Sequence, residues 1–106
     1  MVRIPTHRPP THPGEILLED FLKPLTMTQV DLAERIAVPI QRVNEIVKGR
    51  RGVTPDTALR LEAALGASAQ FWLNAQLAWD LYEQMHSPAA ADIKRIRRVR
   101  VPLSTP

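Results

Sequence analysis

The 106-residue chain has no cysteine. That removes disulfide frameworks, thiolate metal sites and a cysteine nucleophile at once. No apolar run approaches the roughly 20 residues that a membrane-spanning helix requires. The first thirteen residues carry Arg3 and Arg8 but no apolar core of the kind a secretory leader needs, so a cytoplasmic protein is expected. His7, His12 and His86 are too scattered to hold a metal, and no His-Glu-x-x-His run occurs. Serine and threonine fall at helix starts or in the tail, without a Ser/His/Asp pattern. No catalytic constellation, cofactor or metal is therefore expected. At this length a second core has no room.

What is present is a helical pattern cut by ten prolines and four glycines. With 44% hydrophobic and 24% charged residues the composition is that of a folded domain. Pro5, Pro9, Pro10 and Pro13 make residues 1–12 an extended arm. Ile16, Leu17, Phe21 and Leu25 then recur at helical spacing until Pro24 ends the first helix. A second helix starts at Thr28, a good cap, with Val30, Ala33 and Ile36 facing inward and Leu32 beside them. After a break at Pro39, Ile40, Val43, Ile46 and Val47 continue the pattern, and Gly49 can take the left-handed conformation that closes a helix.

The fourth helix has Thr54 as cap, Pro55 at its first position and Asp56 at its positive end. It runs through Leu59, Leu61, Ala63 and Leu65 to Gly66. Ser68 caps a long fifth helix carrying Phe71, Trp72, Trp79, Leu81, Tyr82 and Met85, more apolar surface than one core-facing stripe holds. No segment before residue 90 alternates like a strand. The expected fold is all-α, a five-helix domain over residues 13–86 with an N-terminal arm and a basic tail over 87–106. In that tail Val99, Val101 and Leu103 alternate as a strand would, while Ile93, Ile96 and Val99 fit a helix. Both remain open.

Net charge is +3, but it is unevenly placed. Residues 15–34 hold five acids against Lys23, net −4; residues 35–60 hold six basic side chains against Glu45 and Asp56, net +4. The tail carries five basic residues against Asp92, again net +4. Two short helices joined by Ala37-Val38-Pro39 must cross steeply, and small Ala33 permits close approach. This is a helix-turn-helix, whose second helix is shaped to enter a major groove N-terminus first. The +4 stretch covers that helix and the loop after it, where a phosphate backbone would lie.

The segment Thr28-Gln29-Val30-Asp31-Leu32-Ala33-Glu34-Arg35-Ile36, followed by Val43 to Gly49, resembles the helix-turn-helix of phage-repressor-like (XRE family) proteins. The flanking runs His12-Pro13-Gly14-Glu15-Ile16-Leu17, Gly49-Arg50-Arg51-Gly52-Val53-Thr54-Pro55-Asp56-Thr57-Ala58-Leu59-Arg60-Leu61 and Phe71-Trp72-Leu73-Asn74-Ala75-Gln76 resemble those of HigA-type antitoxins. The resemblance covers roughly residues 12–82. It implies a DNA-binding homodimer that represses its own operon and neutralises a RelE-like ribonuclease toxin.

Carried over by position, Thr28 and Gln29 would hold a phosphate, and Ile40, Gln41, Arg42, Asn44 and Glu45 would face base edges. Gln41 has the chemistry to pair with adenine, Arg42 with guanine, and Ile40 to pack on a thymine methyl. Lys48, Arg50 and Arg51 would contact phosphate. Pro39 departs from the family, which places a small polar cap before the recognition helix. Trp79, Leu81 and Tyr82 are the expected dimer contacts. The acidic first helix is a solvated face or the seat of a basic toxin. The competing functions are a plain XRE-family repressor without a toxin partner and a purely structural helical bundle.

Overall fold

The computed structural model describes residues 9–100 and Pro102. Residues 1–8 of the expected arm and the strand positions Val101 and Leu103 lie outside the described residues. Among the described residues six α-helices follow one another. The first, α1 (Pro13–Ile16), continues directly into a wider turn over Leu17–Leu22, with i→i+5 hydrogen bonding. Then come α2 (Gln29–Ile36), α3 (Ile40–Val47), α4 (Pro55–Leu65), α5 (Ala69–Met85) and α6 (Ala89–Lys94). The sixth, in the segment expected as tail, is short, and the described residues after it form neither helix nor strand.

Each long helix starts where side-chain chemistry permits. The Thr28 hydroxyl accepts the Asp31 N–H at 3.0 Å, and the Asp31 carboxylate accepts the Thr28 N–H at 3.2 Å. Hydrogen bonding of the Asp31 carboxyl to the Thr28 hydroxyl and to the Thr28 N–H holds it below the usual carboxylate range. Thr54 and Ser68 cap α4 and α5 by accepting the Thr57 and Phe71 N–H groups. Helix α3 alone of these begins without a side-chain cap, because Pro39 stands at that position.

The ends are equally local. Ala37 closes α2 in the left-handed conformation (φ 58°), with the Val38 N–H donating back to the Ala33 carbonyl at 3.0 Å. A glycine usually takes this role, since a Cβ there costs about 1–2 kcal/mol.

The core joins Leu17 and Leu22 of the first helix to Leu32, Ala33 and Ile36 of α2, Val43 and Ile46 of α3, Ala58 and Leu61 of α4, and Trp72 of α5. Trp72 is fully buried between Phe21 and Phe71, ring centroids 5.2 and 5.1 Å away. Truncating so large a side chain costs about 3–5 kcal/mol.

Val30, expected to face inward, is 53% exposed, and the apolar Leu25 and Leu59 are likewise exposed, at 55 and 61%. In α2 the buried stripe is Leu32, Ala33 and Ile36, one position round from Val30. His12, expected in the arm, is buried: its Nδ1 accepts the Gly14 N–H at 2.9 Å and its ring meets Trp79 edge-on at 5.0 Å. Burial lowers the His12 pKa, with Asp80 and then Glu15 opposing.

Gly14 explains how the first helix reaches α3. A Cβ on Gly14 would land on the Ile46 carbonyl oxygen and sit 3.0 Å from the Val47 Cα. The two backbones touch there, and only glycine fits.

Candidate nucleic-acid interface

Helix α3 buries Val43 and Ile46 and turns its other side outward. Ile40, Gln41, Asn44, Glu45, Lys48 and Arg50 together line one shallow depression of about 240 Å³. Four of these are expected base readers and two are expected phosphate contacts. The structure thus brings six of the ten expected DNA residues into one concave surface along the recognition helix.

The remaining four are placed differently. Gln29, in the first turn of α2, accepts the Asn44 amide N–H at 3.2 Å through Oε1, so the expected phosphate holder is tied to the recognition helix. Thr28 spends its hydroxyl on the cap of α2. Arg51, beyond α3, lies 2.8 Å from Glu45 and donates to its Oε1. Arg42 turns away from the depression, toward the start of α4, and pairs with Asp56 at 3.2 Å. Exposed pairs of this kind contribute about 0–1 kcal/mol, so they set orientation more than stability.

Gln76 of α5 contributes to the site although no sequence signal singled it out. Its Oε1 accepts the Val53 N–H at 2.8 Å, and its Nε2 donates to Asp80 at 2.9 Å. Gly52 lies against the same amide, where a Cβ would come within 3.0 Å. The loop carrying Arg50 and Arg51 is thereby moored to α5. Only the contact across 23 positions reveals this role; the Phe71-Trp72-Leu73-Asn74-Ala75-Gln76 run was legible as a family mark, not as a tether.

The expected dimer residues divide. Trp79 is half-buried against His12 within its own chain, and Tyr82 stacks on His86 at 4.1 Å. Leu81 is exposed, in a strip with Leu77, Met85 and Ile93. Among the described residues no group of three His, Cys, Asp or Glu could hold a metal, and no helix is long and apolar enough to cross a membrane.

A capped helix, a left-handed turn and an exposed second helix followed by basic Lys48, Arg50 and Arg51 define a helix-turn-helix DNA-binding domain. The sequence matches the helix-turn-helix family model over residues 18–72. It is 45% identical over 97 residues to virulence-associated protein I of Dichelobacter nodosus, covering 92% of this chain and 84% of that protein. It is 42% identical over 79 residues to antitoxin HigA-1 of Vibrio cholerae, covering 74% and 73%. Among solved structures it is similar to antitoxin GraA in complex with its operator: TM-score 0.82, 35% identity, 93% of this chain and 100% of that one. The chain belongs to the helix-turn-helix family, of the phage-repressor-like (XRE) type. HigA-type antitoxins stand among its relatives.

Proposed function

We propose that this protein is an autoregulating antitoxin: a cytoplasmic homodimer that binds a palindromic operator and neutralises a RelE-like ribonuclease toxin. The observation that carries the DNA part is the depression formed by Ile40, Gln41, Asn44, Glu45, Lys48 and Arg50 on the open face of α3. An amide for base edges, a methyl-bearing side chain and two cations without an acidic partner among the described residues converge there, the combination a major groove requires. Support for the antitoxin part comes from relatives and neighbours named as antitoxins, one of them solved on its operator.

The exposed strip Leu77, Leu81 and Met85 supports a second copy packing along α5. Two recognition helices about 34 Å apart would then meet successive major grooves on one side of the duplex.

The test is a gel-shift series on the region upstream of the gene, at two salt concentrations. Gln41→Ala is expected to cost about 1–3 kcal/mol and to relax selectivity at one base pair. Lys48→Ala with Arg50→Ala is expected to weaken every sequence alike and to flatten the salt dependence by about two counterions. Unchanged affinity in both variants overturns the groove assignment. Co-expression with the small basic reading frame beside the gene tests the toxin part: growth that is not rescued leaves a plain repressor.

A further inference from the structure

The side chain chemically best suited to read a guanine, Arg42, is not in the groove-facing set. It lies about 100° round α3 from Gln41, on the side of α4. Its Nη1 donates to Asp56 Oδ2 at 3.2 Å, and the Arg42 side chain keeps 31% of its exposure. The same oxygen accepts a second guanidinium, from Arg60 Nε at 3.0 Å. Arg60 in turn sends Nη1 to the Ile36 carbonyl at 2.8 Å and to the Ala37 carbonyl at 3.5 Å.

One carboxylate oxygen therefore joins the first turn of α3, the first turn of α4 and the turn of the helix-turn-helix motif. The chemistry suits each place. Asp56 sits at the positive end of α4, where a carboxylate is favoured. Ile36 is the last residue of α2, where carbonyls lack a partner within the helix. The turn it stabilises contains Ala37 in a left-handed conformation that costs energy and needs outside support.

Resting on the operator-binding reading above, we propose that Arg42 is a positioning residue rather than a base reader. With Asp56 and Arg60 it forms a clamp that sets the angle of α3 against α2 and α4. Sequence is then read by Gln41, Asn44 and their neighbours in the depression. Arg42 keeps its carboxylate partner on the operator, and Asp56 belongs to the recognition machinery without approaching a base.

The two roles separate in a binding panel that uses the full chain, its upstream operator and a set of operators each altered at one base pair. As a positioning residue, Arg42→Ala lowers affinity for every member of the panel by the same factor, bounded at about fivefold, what an exposed ion pair can supply. Asp56→Asn, which keeps the side-chain shape, does the same. The Arg42→Ala/Asp56→Asn double variant is no weaker than Asp56→Asn alone, because removing the carboxylate charge already removes the Arg42 pair. Salt dependence stays that of the wild type, since no phosphate partner is lost. In the free protein both variants speed hydrogen exchange at the Ala37 and Val38 amides, a readout independent of DNA.

The opposite pattern overturns the clamp: Arg42→Ala losing affinity at one base pair only, with Asp56→Asn binding as tightly as wild type or tighter. Unaltered exchange at Ala37 and Val38 in Asp56→Asn also overturns it, and Asp56→Asn alone decides the matter if Arg42→Ala does not fold. A wild-type protein without salt-dependent operator affinity defeats the DNA reading itself, which is distinguishable because no variant is then needed.

Discussion

Replacing Gly14 by alanine sets two physical effects against each other with opposite signs. On helix propensity alone the change favours folding by up to about 1 kcal/mol, because alanine is the better helix former. Packing says the reverse. The new Cβ would coincide with the Ile46 carbonyl oxygen and press on the Val47 Cα, both backbone atoms of α3 that cannot rotate aside. Relief requires the first helix to lift from α3 by more than 1 Å, at an overpacking cost of about 3 kcal/mol.

The net loss, about 2 kcal/mol, should lower the melting temperature of a domain this size by about 8–16 °C. Circular dichroism at 222 nm, with urea unfolding as a second measurement, reads it directly. The first helix leaves α3 near Val47, beside Lys48 and the basic loop, so operator affinity should fall along with stability. A Gly14→Ala variant as stable as wild type would refute the close-approach account.

Three further outcomes follow from local chemistry. His12 is neutral in the fold, its Nδ1 accepting a backbone N–H, and burial depresses its pKa from the ordinary 6.5. Below pH 6.5 the unfolded chain takes up a proton that the folded chain resists, so stability should fall as pH drops through that range. His12→Asn, which retains a capping oxygen, should abolish that part of the pH dependence in melts from pH 7.5 to 5. Ala37→Gly should raise stability by about 0.5–1 kcal/mol: the left-handed strain of about 1–2 kcal/mol is removed, offset by glycine's greater freedom when unfolded. A lower melting temperature for that variant would contradict the strain. Gln76→Leu leaves the Val53 N–H without its partner and should cost about 1–3 kcal/mol, with faster hydrogen exchange across residues 50–53 as the check.

The legible parts of the chain were those governed by near neighbours. Thr28, Thr54 and Ser68 announce helix starts because a cap acts over three residues, and Pro55 and Gly66 mark their positions by their own backbone limits. The outward set on α3 was legible for the same reason: Val43 and Ile46 fix which side is inward. Where two stripes competed, periodicity alone could not choose. Val30, Ala33 and Ile36 share a spacing, yet Leu32 is buried and Val30 is not, because α3 and α4 approach from the Leu32 side.

Several unforeseen features join residues far apart in sequence. The Gly14–Ile46 approach spans 32 positions, the Gln76–Val53 tether 23 and the Arg60–Ile36 contact 24. Arg42 shows the limit most sharply. Its residue type suggests a guanine reader, and only the position of Asp56, fourteen residues on, gives it another partner.

The mooring of the basic loop to Gln76 has a geometric corollary. Helix α5 is 17 residues, about 25 Å of rigid rod at 1.5 Å per residue. One end of that rod seats Trp72 in the core, the middle grips the loop that follows the recognition helix, and the far end bears Leu81 and Met85. In the proposed dimer this rod is the gauge of the molecule. Lengthening it by one residue would swing the partner by about 100° as well as displacing it, so a changed operator spacing could not be matched by gradual drift. Such a repressor would hold its half-site separation fixed over long divergence while the bases read at Gln41 and Asn44 remained free to change.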